Sequence, residues 1–314
     1  MNGISVIIVS WNARAYLHAC LQSVRACGRG GVVGEVIVVD NASSDGSAAM
    51  VRDAFPEVRL VEAGANLGFA RANNLGMSLA CGPLLALVNS DVEVRPGCFE
   101  ALAGCLQSDP RIGLAGPRIV DRQGRAQGSC RRRPTVWNTL CRTLALDRVF
   151  GRHALLSGHE MRHFAHDTRA EAEVLSGCFW LARASAVAEV GPLDERFFFY
   201  MEDVDWCRRF AARGWRIVFE PAAVALHHGG ASSANAPLRY SIQYLRSNLA
   251  YWRKYYGLAG DALFRSLALL HHGLRLAARG VRRLLGGVPS DPLRHKLRED
   301  LACLRWLLTG KDVA

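Results

Sequence analysis

Four polar clusters in this chain each follow an apolar run, and each has the makings of a chemical site. Asp40 closes the run GEVIVVD and is followed by NASSDGS. A carboxylate at a strand end accepts hydrogen bonds from a nucleobase or ribose; equally, Asp40 or Ser43 caps the next helix. Asn89-Ser90-Asp91 ends the most apolar run, LLALVNSD. Asp91 offers hard oxygen to a divalent cation shared with substrate phosphates, or is an ordinary turn carboxylate. Glu202-Asp203-Val204-Asp205 sets three carboxylates within four residues, behind the aromatic run FFFY. Their repulsion and apolar neighbours raise the pKa of one of them, which suits a general base for a weakly acidic hydroxyl. The other reading is acid placement in a helix's first turn, with Asp205 paired to Arg208 or Arg209. Finally, His227-His228 ends the run AAVAL and is followed by Gly-Gly-Ala-Ser. A histidine backed by glycine can approach a metal or phosphate closely, or it packs in a core.

These clusters act together only if the chain brings them to one edge. Apolar runs at 4–10, 34–40, 58–63, 84–91 and 112–120 alternate with helical patterns at 14–27, 43–55, 68–80 and 96–108. That is the rhythm of a mostly parallel sheet with helices on both faces. In such sheets ligands bind beyond the carboxyl ends of the strands, where these polar clusters fall. Residues 121–173 read as an irregular excursion with helices, and 174–191 resumes regular patterning. Short strands are expected at 216–219 and 223–227, and a helical, basic extension over 237–314.

The chain has 314 residues, 50% of them hydrophobic and 21% charged, enough for a large core and against general disorder. Its ten cysteines form no CxxC pair, and most sit in apolar stretches. They read as small buried hydrophobes of a reducing, cytoplasmic compartment. The opening MNGISVIIVSWN has a short apolar run without a basic flank or cleavage site, so it reads as a strand and not a signal peptide. There is no GxGxxG after the first strand and no GxxxxGK[ST], which argues against a plain NAD enzyme and a P-loop ATPase. No zinc-finger or RNP-like signature favours nucleic acid as a partner.

The formal net charge is +11, and residues 237–314 carry fourteen Lys and Arg against five Asp and Glu. Within 263–285, apolar residues at 267, 270, 274, 277, 281 and 284 recur at helical spacing, interleaved with Arg265, Arg275, Arg279, Arg282 and Arg283. A helix of this kind lies on an anionic membrane surface, or docks on its own protein or on a twin subunit in a homo-oligomer.

Taken together, SVIIVSWN (5–12), VIVVDNASSDGS (36–47), NLGFARANNLGM (66–77), LALVNSDVEVRPG (85–97), SGCFWLARA (176–184), GPLDERFFFYMEDVDWCRRFAARGW (191–215) and HHGGAS (227–232) resemble the family-2 glycosyltransferases. The likeness is strongest to the bacterial rhamnosyltransferase-like branch and covers about residues 3–260. It implies the α/β glycosyltransferase A-type fold, with a nucleotide-sugar-binding half over 1–120 and an acceptor-binding, catalytic half over 121–236. It implies that Asp40 contacts the donor base, with Asn12 and Asn66 shaping the nucleotide pocket. It implies that Asn89-Ser90-Asp91 stands for the family's metal motif, with Asp91 its remaining acid and Mg²⁺ or Mn²⁺ its cation. His227 matches the metal-site histidine best, with His228 next to it. Asp203 matches the catalytic base, and Asp194, Glu202 and Trp206 fall on the acceptor side.

The resemblance also implies an in-line displacement that inverts the anomeric carbon. The donor it suggests is dTDP-rhamnose, with a UDP-hexose as the alternative. The acceptor is a glycan or a polyprenyl-diphosphate-linked sugar, in bacterial surface polysaccharide synthesis at the inner face of the plasma membrane. Rival readings are a retaining transferase, a sugar nucleotidyltransferase and a non-catalytic scaffold. The last would be expected to lack the acids at 91 and 203, and both are present.

Overall fold

The computed structural model describes residues 3–161, 164–229, 237–284 and 291–311. Gly230, Ala231 and Ser232 of the HHGGAS segment lie outside them, as do the side chains of Arg282, Arg283 and Leu284. The chain divides into two compact units. The first comprises Met1–Arg133, His159–Phe198 and Glu202–Ala234; the second comprises Pro134–Gly158, Phe199–Met201 and Asn235–Ala314.

The first unit holds all the strands of the described residues. In chain order these are β1 (Ile4–Ser10), β2 (Val33–Asp40), β3 (Arg59–Glu62), β4 (Leu84–Asn89), β5 (Val92–Val94), β6 (Ile112–Val120), β7 (Cys130–Arg131), β8 (Ala170–Glu171), β9 (Val174–Leu175), β10 (Phe179–Arg183) and β11 (Arg216–His227). Its helices are α1 (Arg14–Cys27), α2 (Ser47–Ala54), α3 (Gly68–Leu79), α4 (Cys98–Ser108), α7 (Ala184–Val190) and α8 (Glu202–Ala212). The second unit holds α5 (Val136–Thr143), α6 (Leu146–Val149), α9 (Pro237–Leu284) and α10 (Asp291–Thr309).

Nine strands make one sheet in the order β3-β2-β1-β4-β10-β6-β11-β5, with β8 on β11. β3, β2, β1 and β4 are parallel, and so are β6 and β11; β10, β5 and β8 run against them. β1 reads as an unbroken apolar run because both its faces are covered. Val6 and Ile8 join Leu17 and Leu21 of α1 and Phe99 and Leu102 of α4 in one core. On the other face, Ile37 and Val39 of β2 pack with Ala72, Leu75 and Leu79 of α3. A Cβ at Gly76 would come 2.4 Å from Ile7, so glycine there lets α3 lie directly on the sheet.

The expected pair of strands at 216–219 and 223–227 is one strand with an irregularity between Glu220 and Val224. Pro221 has no N–H to give the ladder, so the strand bulges at that point and carries on. The excursion at 121–173 contains β7, α5, α6 and β8. Its Cys130–Arg131 pairs with Val174–Leu175 as a separate two-stranded sheet.

In the second unit α9 kinks at Gly257, whose φ is 65°. Of the residues read as one amphipathic stripe, Leu267 is buried, while Leu270, Leu274 and Val281 are exposed. Two of the interleaved cations are turned inward. Arg275, Arg279 and His272 of α9 converge on the carboxylate of Asp300 of α10, which is fully buried. Arg265 donates to the Leu307 carbonyl at 2.7 Å. A buried carboxylate needs such partners, and they fix α10 against α9. Among the described residues no helix is long and apolar enough to cross a membrane. The ten cysteines are all free thiols, and most are buried.

Candidate active site

The parallel register sets Ser10, the last residue of β1, beside Asp40, the last of β2. Asp40 is buried, and its Oδ2 accepts from the Ser43 backbone N–H at 2.9 Å, as a capping acid would. Its Oδ1 is buried without a partner among the described residues, and so is the Ser10 hydroxyl. Orphaned acceptors of this kind are costly unless a ligand satisfies them. Asn12 and Asn66 are already engaged. Asn12 Oδ1 accepts from the Ser44 N–H at 2.8 Å, and Asn66 Oδ1 accepts from the Gly68 N–H at 3.0 Å. Asn41 ties these loops together, donating to Asn66 Oδ1 at 3.2 Å and accepting from the Leu67 N–H at 3.0 Å.

Asp91 sits in the turn between β4 and β5. Because β5 pairs antiparallel with β11, His227 falls opposite Val92, next to that turn. His227 Nε2 lies 3.3 Å from Asp91 Oδ1. Its other ring nitrogen meets Gln127 Oε1 at 3.1 Å, and the Gln127 amide donates to the His227 carbonyl at 2.9 Å. His228 turns elsewhere. It meets Glu93 Oε1 at 2.7 Å, receives a hydrogen bond from Arg122 and touches the Tyr16 ring. Asn89 stands at the end of β4, where its backbone N–H donates to the Cys178 carbonyl at 2.9 Å.

Among the described residues no three His, Cys, Asp or Glu side chains gather to hold a metal ion on their own. The Asp91–His227 pair fits part of such a site. Neighbouring ligands on an octahedral ion with ~2.1 Å bonds stand about 3 Å apart, close to the separation seen.

Glu202 and Asp203 open α8. The two residues before them, Tyr200 and Met201, have φ of 69° and 70°, a left-handed conformation that costs non-glycine residues of order 1–3 kcal/mol each. Both carboxylates are buried. Asp203 pairs with the Arg131 guanidinium, and its Oδ1 accepts from the Val204 N–H at 2.8 Å. Glu202 Oε2 is buried without a partner among the described residues. Burial first, then the charge of Asp203, pushes the Glu202 pKa well above the usual carboxylate range. Asp205 is fully buried against Arg209 at 2.8 Å. Arg209 also donates to the carbonyls of Val190 and Pro192, so this acid serves the fold.

Asp194 pairs with Arg196 at 2.9 Å. Trp206, expected on the acceptor side, is wholly buried. Its indole N–H donates to the Gly191 carbonyl at 3.0 Å, and its ring packs on Trp180 and Phe210. That puts it in the packing beneath α8, with no surface for a ligand.

The start of β10 links the two acidic positions. Cys178 holds Asn89, and a Cβ at Gly177 would lie 3.4 Å from Asp203 Cβ. Asp91 is close enough to contribute to raising the Cys178 thiol to about 11, after the larger effect of burial. Arg131 and Gln127, both from the stretch read as irregular, were not anticipated; the only signal for Arg131 was its place in an Arg triplet.

A model of Glycosyl transferase family 2 matches residues 5–191. The N-acetylglucosaminyl-diphospho-decaprenol L-rhamnosyltransferase of Mycobacterium tuberculosis is 30% identical over 303 residues, spanning 90% of this chain and 97% of that protein. Among solved structures, GalNAc-T7 with UDP, GalNAc and Mn²⁺ aligns with a TM-score of 0.57 at 15% identity, over 98% of this chain and 56% of that one. The mannosyltransferase PcManGT of Pyrobaculum calidifontis, with GDP-Man and Mn²⁺, aligns at 0.56 and 16% identity, over 98% and 88%. These two likenesses speak for the fold, which is the expected glycosyltransferase A type with a mostly parallel mixed sheet. The chain belongs to glycosyltransferase family 2, and it is a glycosyltransferase.

Proposed function

We propose that this enzyme moves L-rhamnose from dTDP-rhamnose to a hydroxyl of a polyprenyl-diphosphate-linked glycan, with inversion at the anomeric carbon. The observation that carries the reading is the end-to-end likeness to the mycobacterial L-rhamnosyltransferase, whose name gives a lipid-linked acceptor. Donor contacts fall to residues up to 120, with Asp40 taking the base or ribose through its unpartnered oxygen. Asn12 and Asn66 act by fixing the loops around it. The acceptor falls to residues 121–236, and the site of action is the inner face of a bacterial membrane.

Asp203 is the base. Its carboxylate takes the proton of the acceptor hydroxyl as that oxygen bonds to the anomeric carbon and the bond to the nucleoside diphosphate breaks. Arg131 and the Val204 N–H hold the carboxylate in place from two directions. Glu202, whose carboxyl pKa is pushed up by burial and by the charge of Asp203, lies buried beside it. Asp91 and His227 would hold Mg²⁺ or Mn²⁺ together with the donor phosphates. Such an ion neutralises charge developing on the leaving diphosphate.

The test is a panel of nucleotide sugars offered to the purified enzyme with a polyprenyl-diphosphate-linked N-acetylglucosamine acceptor. Transfer from dTDP-rhamnose with inverted configuration is expected. Transfer from UDP-hexoses alone would overturn the donor, and retained configuration would overturn the role of Asp203.

A further inference from the structure

We propose that residues 136–155, which carry α5 and α6, seat their apolar side chains in the interfacial layer of an anionic lipid bilayer. Exposure of apolar residues on this protein is lopsided. Among the described residues fifteen large hydrophobics are exposed, and fourteen of them belong to the second unit. Six fall within this one short stretch: Val136 at 48%, Trp137 at 52%, Leu144 at 45%, Val149 at 72%, Phe150 at 48% and Leu155 at 66%. Scattered exposed apolar residues are normal on a soluble surface, but six within twenty residues mark a surface that meets something.

Charge is divided in the same way. The second unit has seventeen Lys and Arg against six Asp and Glu, whereas the first has twenty-two of each, so the whole net charge of +11 lies on the second unit. Within 134–158 the one acid, Asp147, is buried, while Arg148 and Arg152 are exposed. The outward surface of this stretch is therefore apolar and cationic. Trp137 suits a boundary layer. Its indole N–H donates to the Leu155 carbonyl at 2.8 Å, which leaves the half-exposed ring free for apolar contact.

Together these features select the occupant. A second copy of the chain would bring an equally cationic unit against this one. An anionic bilayer offers both an apolar layer and negative charge, and both terms add. The surface differs from the stripe expected at 263–285, where Arg275 and Arg279 are already committed to Asp300.

The experiment is co-sedimentation of the full-length chain with phosphatidylglycerol-containing vesicles and with phosphatidylcholine vesicles. No nucleotide sugar or acceptor is present, so the result is independent of the donor assigned above. The unaltered chain should pellet with anionic vesicles and be released by salt. The double variant Val149→Glu, Phe150→Glu should partition about tenfold more weakly, with an unchanged thermal midpoint because both side chains are already exposed. Val149→Glu alone serves as the milder variant should the double one unfold. Equal partitioning of variant and parent would overturn the proposal, as would a parent that stays in the supernatant. A parent dimer that the same substitutions dissociate, without vesicle binding, would assign the surface to a second copy instead.

Discussion

His227 Nε2 stands 3.3 Å from Asp91 Oδ1, across a pairing in which β11 sets His227 opposite Val92 of β5. The neighbouring His228 is held by Glu93 and Arg122. The two adjacent histidines therefore have separate partners. His227→Ala should weaken Mn²⁺ binding to the complex with dTDP by about tenfold or more, whereas His228→Ala should change it only a few-fold. Calorimetric titration of Mn²⁺ measures both, and equal effects would remove His227 from the metal. Chelation should abolish transfer, and added Mg²⁺ or Mn²⁺ should restore it.

Asp203→Asn keeps the shape of the side chain but cannot take a proton. Turnover should fall by ~10²–10⁴ while donor affinity stays within a few-fold. Initial rates alongside a donor titration separate the two quantities. Near-normal turnover would take the base role away from Asp203.

Glu202 gives a prediction about stability. Its pKa is raised in the folded protein, so the folded state holds that proton over a pH range in which the unfolded chain has lost it. Stability is therefore full below the ordinary glutamate pKa and falls as pH rises from there towards the raised value. Glu202→Gln should remove this dependence. The variant's melting temperature should exceed the parent's at neutral and alkaline pH, and the gap should close under acid conditions. Parallel melting curves across pH would contradict the shift.

Asp40→Asn places an amide where the buried Oδ1 has no partner among the described residues. One acceptor can still serve the Ser43 N–H, but the other atom becomes a donor. Binding of dTDP should weaken by about tenfold or more, as expected when a buried polar contact is mismatched. Fluorescence or calorimetric titration measures this, and unchanged affinity would return Asp40 to a capping role.

The sheet was legible in the sequence wherever a strand is covered on both faces, because β1, β2, β4 and β6 then read as continuous apolar runs. β5, with three residues, and β7 and β9, with two each, are too short to show any period. Asp40, Asp91, Asp203 and His227 stood out because each follows an apolar or aromatic run. Arg131 did not, since it meets Asp203 across 72 residues and its neighbours Arg132 and Arg133 look the same. Telling the partners of His227 from those of His228 required the pairing of β11 with β5, which sets His227, the last residue of β11, opposite Val92. Trp206 looked like a site residue through its neighbours, and its burial follows from Trp180, which reaches it from β10.

The position of β10 has a consequence for the protein's synthesis. It lies between β4 and β6 in the sheet, yet begins only at Phe179. β4 is complete at Asn89, and β6, complete at Val120, has both of its neighbours, β10 and β11, still to come. At a translation rate of about 5–20 residues per second, the open edge of β4 waits on the order of ten seconds for its partner. During that wait the nascent chain presents unpaired strand edges of the kind that invite aggregation. A polypeptide cut at residue 120 would keep those edges permanently. The four parallel strands at the amino end therefore cannot be joined to the rest of the sheet until residues 179–183 have been made.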